Sequence, residues 1–272
     1  MNNTDHVPLV DTTRDELRGR IAEAAARFAQ LFRTADPSAR PPGHDWTVQQ
    51  IAAHVVAITH RYLAGAQGRE YTRVATPREI HQLNQTELEA LLAPLPALAD
   101  DIQAGATELA HEFDTFTDAT RIPFQQFAVA SGIAWQTYWL GELLLHGEDV
   151  ARAIDAPWDI HERDMLLLAR GLMEVGHAYL RDSVSRDKRI CVAFKLPESR
   201  PYVITIHDGI AEFRDRRRDD RPDAVLRGPA SALIQMLYGR IGPIAAMRRG
   251  LFVVGGRRPW VALKLMSYFE GT

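Results

Sequence analysis

Apolar residues recur at steps of three and four along roughly the first 155 residues, the spacing of a helix with one buried face. The first such stretch begins with Thr13 and Glu16, and the second with Thr47 and Gln50, each pair at the spacing of a capping box. The apolar stripes are Leu17, Ile21, Ala24, Phe28 and Leu31 in the first helix and Ile51, Val55, Ile58 and Tyr62 in the second.

Two further helical regions complete this part of the chain. One covers roughly 77–116, and Pro94 and Pro96 are expected to split or kink it. The other runs from about Phe127 to Ile154. Amphipathic helices of this length, without a convincing strand between them, predict a four-helix bundle.

The pattern changes near residues 155–162. One more helix is expected over residues 163–182, and short, partly alternating β-rich segments then follow, with Gly228-Pro229 joining a strand to a helix. This half is predicted to be α+β with three to five strands. We therefore expect two domains, a four-helix bundle over residues 1–158 and a small α+β domain over residues 159–272.

The last helix of the bundle carries polar residues on its inward face, in the segment GELLLHGEDV at 141–150. At about 100° per residue, Glu142 and His146 lie some 40° apart and Asp149 falls just to the other side of Glu142. Tyr138 and Trp139 project into the same arc one turn earlier. Burying such polar groups is costly unless something satisfies them.

The second helix offers a partner, because His54 lies on its apolar stripe, three residues after Ile51. Facing Glu142 and His146 across the bundle, His54 would complete a set of two imidazoles and one carboxylate, which suits Zn²⁺ or another divalent ion. Asp149 could accept a hydrogen bond from a ligating histidine. The same residues are also compatible with a hydrogen-bonded core histidine and a simple Glu–His ion pair within one helix.

Composition narrows the classes of function. The chain of 272 residues has a net charge of −3, 46% hydrophobic and 25% charged residues, so its charge suggests neither a nucleic-acid nor a membrane partner. The N-terminal residues lack the pattern of a signal peptide, and no apolar run approaches the length of a membrane span, so we expect a cytoplasmic protein. Cys191, the one cysteine, lies outside the predicted bundle, so a thiol nucleophile in the bundle would have to come from a small molecule.

The segments DWTVQQIAAHVVA (45–57), HQLNQTELEA (81–90) and GELLLHGEDVARAI (141–154) resemble the mycothiol-dependent maleylpyruvate isomerase family. Residues 223–240 and 248–256 are similar to the sterol-carrier-like domain often fused to that family's DinB-like metal-binding bundle. The resemblance covers nearly the whole chain. It implies that His54, Glu142 and His146 are the metal ligands, with Zn²⁺ as the expected ion and mycothiol as a thiol cosubstrate.

The hypothesis is thus a metal-dependent enzyme that activates a small thiol for transfer to an electrophilic substrate, or for its cis–trans isomerisation. Asp149 would orient a histidine ligand, Tyr138 and Trp139 would line the substrate side, and Arg227 or Arg240 would supply a cation from the C-terminal domain. A monomer or a homodimer is expected. A small-molecule or lipid-binding protein, a metal-dependent hydrolase and a purely structural or regulatory protein remain alternatives.

Overall fold

The computed structural model describes residues 6–7, 12–125 and 128–270. Its N-terminal half contains α1 (Arg14–Leu31), α2 (Val48–Ala66), α3 (Pro77–Ala90), α4 (Leu95–Asp114) and α5 (Gly132–Ala153). Helices α1, α4, α2 and α5 contact one another in that cyclic order, and α3 packs on α2. The predicted four-helix bundle is confirmed, and so is the break between α3 and α4 at Pro94.

The two predicted capping boxes have different outcomes. At Thr47, the side chain accepts a hydrogen bond from Gln50 N, and the Gln50 side chain accepts one from Thr47 N, so this box is complete. At Thr13, the side chain accepts from Glu16 N, but the Glu16 carboxylate accepts from Arg163, Arg20 and Thr12 instead. Three donors, two of them cationic, compete with one backbone amide for that carboxylate.

The predicted start of the last bundle helix, at about Phe127, is not confirmed. Phe127 lies outside the described residues, and α5 begins at Gly132, where the Ser131 hydroxyl accepts from Ala134 N. The preceding residues pair as a hairpin of β3 (Arg121–Pro123) and β4 (Val129–Ser131), and near the N-terminus β1 (His6–Val7) pairs with β2 (Thr12–Thr13). The expectation of no strand in this half was therefore wrong.

The C-terminal half is α+β, as predicted. The helices are α6 (Glu162–Val175), α7 (Asp182–Ser185), α8 (Ala230–Leu237), α9 (Pro243–Arg248) and α10 (Val261–Lys264), with 3₁₀ turns at Gly176–Tyr179 and Leu265–Tyr268. The strands are β5 (Arg189–Lys195), β6 (Tyr202–His207), β7 (Ile210–Asp215), β8 (Ala224–Arg227) and β9 (Phe252–Gly255). They form one sheet in the order β7-β6-β5-β8-β9, in which only the β5–β8 pair is parallel. Gly228-Pro229 joins β8 to α8 as expected, whereas α9 was not predicted.

Close packing of α6 on α5 joins the two halves. A Cβ atom on Gly171 would lie 1.9 Å from the Thr137 hydroxyl oxygen, and one on Gly141 would lie 2.9 Å from Leu168. These glycines allow the two helices to approach, and the apolar core runs without interruption from the bundle to the sheet. Among the described residues, none of the helices combines the length and the apolarity required to span a membrane.

An ion-pair cluster also ties the start of α1 to α6, and it gives a testable prediction. Arg163 donates from two nitrogens to the Glu16 carboxylate at 2.8 and 2.9 Å, and this bonding lowers the pKa of Glu16 from 4.5 to about 2. Because the cluster is partly solvated, we expect Glu16→Gln to lower the free energy of unfolding by about 1 kcal/mol at neutral pH. Because the pKa of Glu16 is lower in the folded protein, the ionised carboxylate stabilises the fold fully above pH 4.5. This stabilisation disappears as the pH falls towards 2.

Urea denaturation at neutral pH and near pH 3 measures both effects. Glu23→Gln, on the same helix but with a more exposed side chain, is the matched control and should change little. A Glu16→Gln deficit that does not shrink in acid would show that the ion pairs are not its cause.

Candidate metal centre

The inward face of α5 meets that of α2 where three polar side chains converge. Glu142 and His146 are one turn apart on α5, and His54 faces them from α2. One potential ligand atom from each of the three lies within 4.8 Å of the other two. The His54 and His146 rings are 5.0 Å apart at an angle of 79° between their planes, so they meet edge to face.

The spacing fits a divalent ion. His146 Nε2 lies 3.3 Å from Glu142 Oε2. Ligand bonds of about 2.1 Å in tetrahedral geometry separate neighbouring ligand atoms by about 3.4 Å. A helical Glu–His pair would have this distance without an ion as well, so the third residue decides how the cluster is interpreted.

His54 is the residue that a simple ion pair leaves unexplained. It is 3% exposed, and its Nδ1 is buried without a hydrogen-bond partner among the described residues. Burial, followed by the charges of His146 and Arg61, lowers the pKa of His54 well below its usual value. The imidazole is therefore neutral and keeps a lone pair, which is the form that binds a metal.

The surroundings of His146 shift its pKa in the opposite direction, upwards. Burial alone would lower its pKa, but the carboxylates of Asp149 and Glu142 outweigh burial and raise the pKa to about 9. Asp149 Oδ2 lies 3.4 Å from His146 Nδ1, on the side of the ring away from Glu142. This negative environment favours a cation, which is either the proton that His146 holds at neutral pH or a metal ion that displaces it. Asp149 is placed where a carboxylate orients a ligating histidine.

Asp149 is itself fixed by the C-terminal half of the chain. Both terminal nitrogens of Arg240, which follows α8, donate to its two carboxylate oxygens at 2.6 and 2.7 Å. Burial would raise the pKa of Asp149, but His146 and Arg240 reverse this and lower it to about 2. The carboxylate beside His146 is thus charged at neutral pH and held in one orientation.

These groups border a cavity of about 280 Å³, which we call the histidine cavity. From α2 and the loop before it, Trp46, His54, Ile58, Arg61 and Tyr62 line this cavity. From α3 and its surroundings come Tyr71, Ile80, His81 and Asn84, and from α5 and the segment before it Phe124, Gln125, Trp135, Tyr138, Gly141, Glu142, Leu145 and His146. The C-terminal half contributes Tyr179, Tyr238 and Arg240, so both halves enclose the site.

A comparison with known families assigns this half of the chain. The family model of the mycothiol maleylpyruvate isomerase N-terminal domain matches residues 18–151, which include all three converging side chains. Residues 18–151 therefore belong to the mycothiol maleylpyruvate isomerase N-terminal domain family.

Solved structures extend the likeness to the fold of the whole chain. A crystal structure of the mycothiol-dependent maleylpyruvate isomerase has a TM-score of 0.55 at 14% identity, and covers 92% of this chain and 96% of that one. A histidine-to-alanine mutant of the mycothiol-dependent maleylpyruvate isomerase has a TM-score of 0.54 at 13% identity, with the same coverage of both chains. At these identities the comparison shows a shared fold. No curated protein matches.

Within this mycothiol maleylpyruvate isomerase N-terminal domain, the two predicted substrate contacts, Tyr138 and Trp139, occupy different positions. Tyr138 lines the histidine cavity. Trp139 is fully buried and does not line it; its ring packs 5.7 Å from that of Tyr62, which does. The assignment of Trp139 to substrate is therefore corrected, because the helix turns it behind Tyr62 into the core.

The two arginines that were predicted to supply a cation to the site also differ in position. Arg227 ends β8 on its exposed side and lies outside the histidine cavity, so the structure does not bring it to the site. Arg240 does reach the cavity, but both of its terminal nitrogens are engaged by Asp149. Its role changes accordingly, from a free cation for substrate to a group that positions Asp149.

Sequence reasoning missed two residues of the site. His44, just before α2, has Nε2 3.9 Å from Asp149 Oδ2, and its Nδ1 accepts from Trp46 N. Arg61 is buried in the wall of the cavity. Arg61 follows His54 by seven residues, which is about two helical turns. Helical spacing therefore predicts that both side chains lie on the same face of α2.

Proposed function

We propose that this chain is a divalent-metal-dependent enzyme that activates a low-molecular-weight thiol, such as mycothiol, for reaction with a small electrophile. The outcome would be transfer of the thiol to that electrophile or its cis–trans isomerisation. The related crystal structures are named as a mycothiol-dependent isomerase. His54, Glu142 and His146 would hold the ion, with Zn²⁺ as the expected metal.

The observation that carries the proposal is the buried, unpaired and neutral His54 beside a Glu–His pair of ligand spacing. Three protein ligands leave positions open for a further ligand, as catalytic sites require. A bound ion of this kind lowers the pKa of a coordinating thiol and so supplies a thiolate at neutral pH.

The protein's own residues fix the geometry. Asp149, held by Arg240, lies 3.4 Å from His146 Nδ1 and would orient the ring with Nε2 towards Glu142 when an ion is bound. Aromatic side chains, including Tyr62, Trp135 and Tyr138, form much of the remaining wall and limit access of water.

Arg61 is the candidate for binding an anionic group of the substrate. Its Nε donates to Glu87 and one terminal nitrogen donates to Asn84, which fixes the guanidinium in the cavity wall. The other terminal nitrogen has no hydrogen-bond partner in the part of the chain that the structure describes. A carboxylate on the electrophile would satisfy it.

The test is turnover of two substrates by protein loaded with Zn²⁺. Maleylpyruvate with mycothiol tests isomerisation, and methyl vinyl ketone tests addition of the thiol to an activated double bond. We expect at least one reaction to require both the thiol and the metal. Turnover of neither substrate would contradict the proposal, and consumption of a substrate by water in the absence of thiol would favour the hydrolase.

A further inference from the structure

A second cavity lies in the C-terminal half, between α6, α8, α10 and the sheet. Its volume is about 330 Å³, within the range of small-molecule sites. We call it the apolar cavity. Its lining is mostly apolar and includes Leu172, Met173, Phe194, Phe213, Leu233 and Ala262.

The apolar cavity and the histidine cavity share a wall. Tyr138 from α5, Tyr179 from the 3₁₀ turn after α6 and Tyr238 from the end of α8 line both. The two cavities therefore adjoin at these three tyrosines, which we call the tyrosine junction.

The Tyr138 hydroxyl at the tyrosine junction lacks a hydrogen-bond partner among the described residues. Tyr138 is buried, and its hydroxyl makes no hydrogen bond with the described residues. A buried hydroxyl left unpaired is costly, so a polar atom supplied by a ligand at the tyrosine junction would satisfy it.

The lining also limits what can enter. Glu270 is the acidic group on the described wall of the apolar cavity, and it disfavours an anionic occupant such as a fatty-acid headgroup. A polar thiol gains little from such a lining, whereas an uncharged hydrocarbon gains from each methylene that it buries.

We propose that the electrophilic substrate carries an uncharged apolar tail, alkyl or aryl, which fills the apolar cavity while the reactive carbon lies in the histidine cavity. The Tyr138 hydroxyl donates a hydrogen bond to the polar atom that joins tail and reactive group. This inference deepens the proposed function and rests on it.

The first experiment needs neither thiol nor turnover. Binding of alkylbenzenes, from ethylbenzene to hexylbenzene, is measured by calorimetry with the full-length protein. We expect the affinity to rise about fourfold for each added methylene until the cavity is full. Ala262→Trp, which fills the cavity from α10, should remove this gain, and Leu263→Trp should retain it, because Leu263 is 73% exposed and outside the cavity.

The second experiment uses alkyl vinyl ketones with tails from methyl to hexyl. The thiol sulfur bonds to the terminal vinyl carbon, and the electron pair of the double bond shifts towards the carbonyl group. The thiol proton is added to the other vinyl carbon, which is bonded to the carbonyl carbon. We expect kcat/KM to rise with tail length in the wild type and in Leu263→Trp, and to stay flat in Ala262→Trp. Methyl vinyl ketone should react equally in the wild type and in Leu263→Trp.

The outcomes separate the two proposals. Thiol-dependent turnover without any effect of tail length, or tail effects that survive Ala262→Trp, would overturn the apolar-tail inference and leave the proposed function intact. Absence of turnover with every ketone would overturn the assignment of a substrate tail, and absence of turnover with maleylpyruvate as well would also overturn the proposed function. The alkylbenzene series would then show on its own whether the cavity binds apolar ligands.

Discussion

His146→Ala is expected to weaken divalent-metal binding at least about 100-fold and to reduce thiol-dependent turnover on the same scale. If four ligands together bind Zn²⁺ with about 10–16 kcal/mol, each accounts for roughly 3 kcal/mol, or more than two orders of magnitude. His146 belongs to both groups of side chains that could hold an ion, one with His54 and Glu142, the other with His44 and Asp149. Its loss therefore leaves no complete set among the described residues.

Competition with a coloured chelator measures this affinity. His54→Ala is expected to behave like His146→Ala, whereas His60→Ala, an exposed histidine on the same helix as His54, should bind metal like the wild type. Wild-type affinity in His54→Ala but not in His146→Ala would move the site to His44, His146 and Asp149 and contradict the ligand set proposed here.

The second large effect is expected at Arg240, which joins the C-terminal half to the metal centre. Arg240→Leu leaves Asp149, 4% exposed, without its bidentate partner. Removing one member of a buried ion pair costs about 3–5 kcal/mol, and loss of an outer contact of a metal ligand typically costs 10–100-fold in metal affinity. We expect both changes, with the stability loss at the lower end because Arg240 is partly exposed.

Urea denaturation and metal titration measure the two effects separately. Arg240→Lys should restore only part of each, since a lysine cannot bind both carboxylate oxygens in the same fork. Arg227→Leu is the matched control on the exposed end of β8 and should resemble the wild type. Unchanged stability and metal affinity in Arg240→Leu would show that Asp149 does not depend on the C-terminal half.

The bundle and its polar cluster could be predicted because their signals are local. Helical spacing places Glu142 and His146 on one face, and an apolar stripe places His54 on another buried face. Each relation spans a single helix, so the periodicity of one segment is sufficient. The start of α5 was misplaced because the cap at Ser131 also depends on Glu174 of α6, which accepts from Ser131 N and from its hydroxyl.

The parts that could not be predicted depend on contacts between distant segments. Arg240 and Asp149 are 91 residues apart in the sequence. The residues around Arg240 and Arg227 do not indicate which of the two arginines reaches the site. Tyr138 and Trp139 share one arc of α5, and only the packing of α2 against that helix decides which of them faces the cavity. The apolar cavity is likewise a product of packing between helices and the sheet.

The most direct test of a metal-activated thiol is the absorption spectrum of the Co²⁺-substituted protein during titration with mycothiol. The account predicts one Co²⁺ per chain and a new sulfur-to-metal charge-transfer band that saturates with one thiol and is absent from His146→Ala. A fully loaded wild-type protein that shows no such band at any thiol concentration, or a band that persists in His146→Ala, would contradict it.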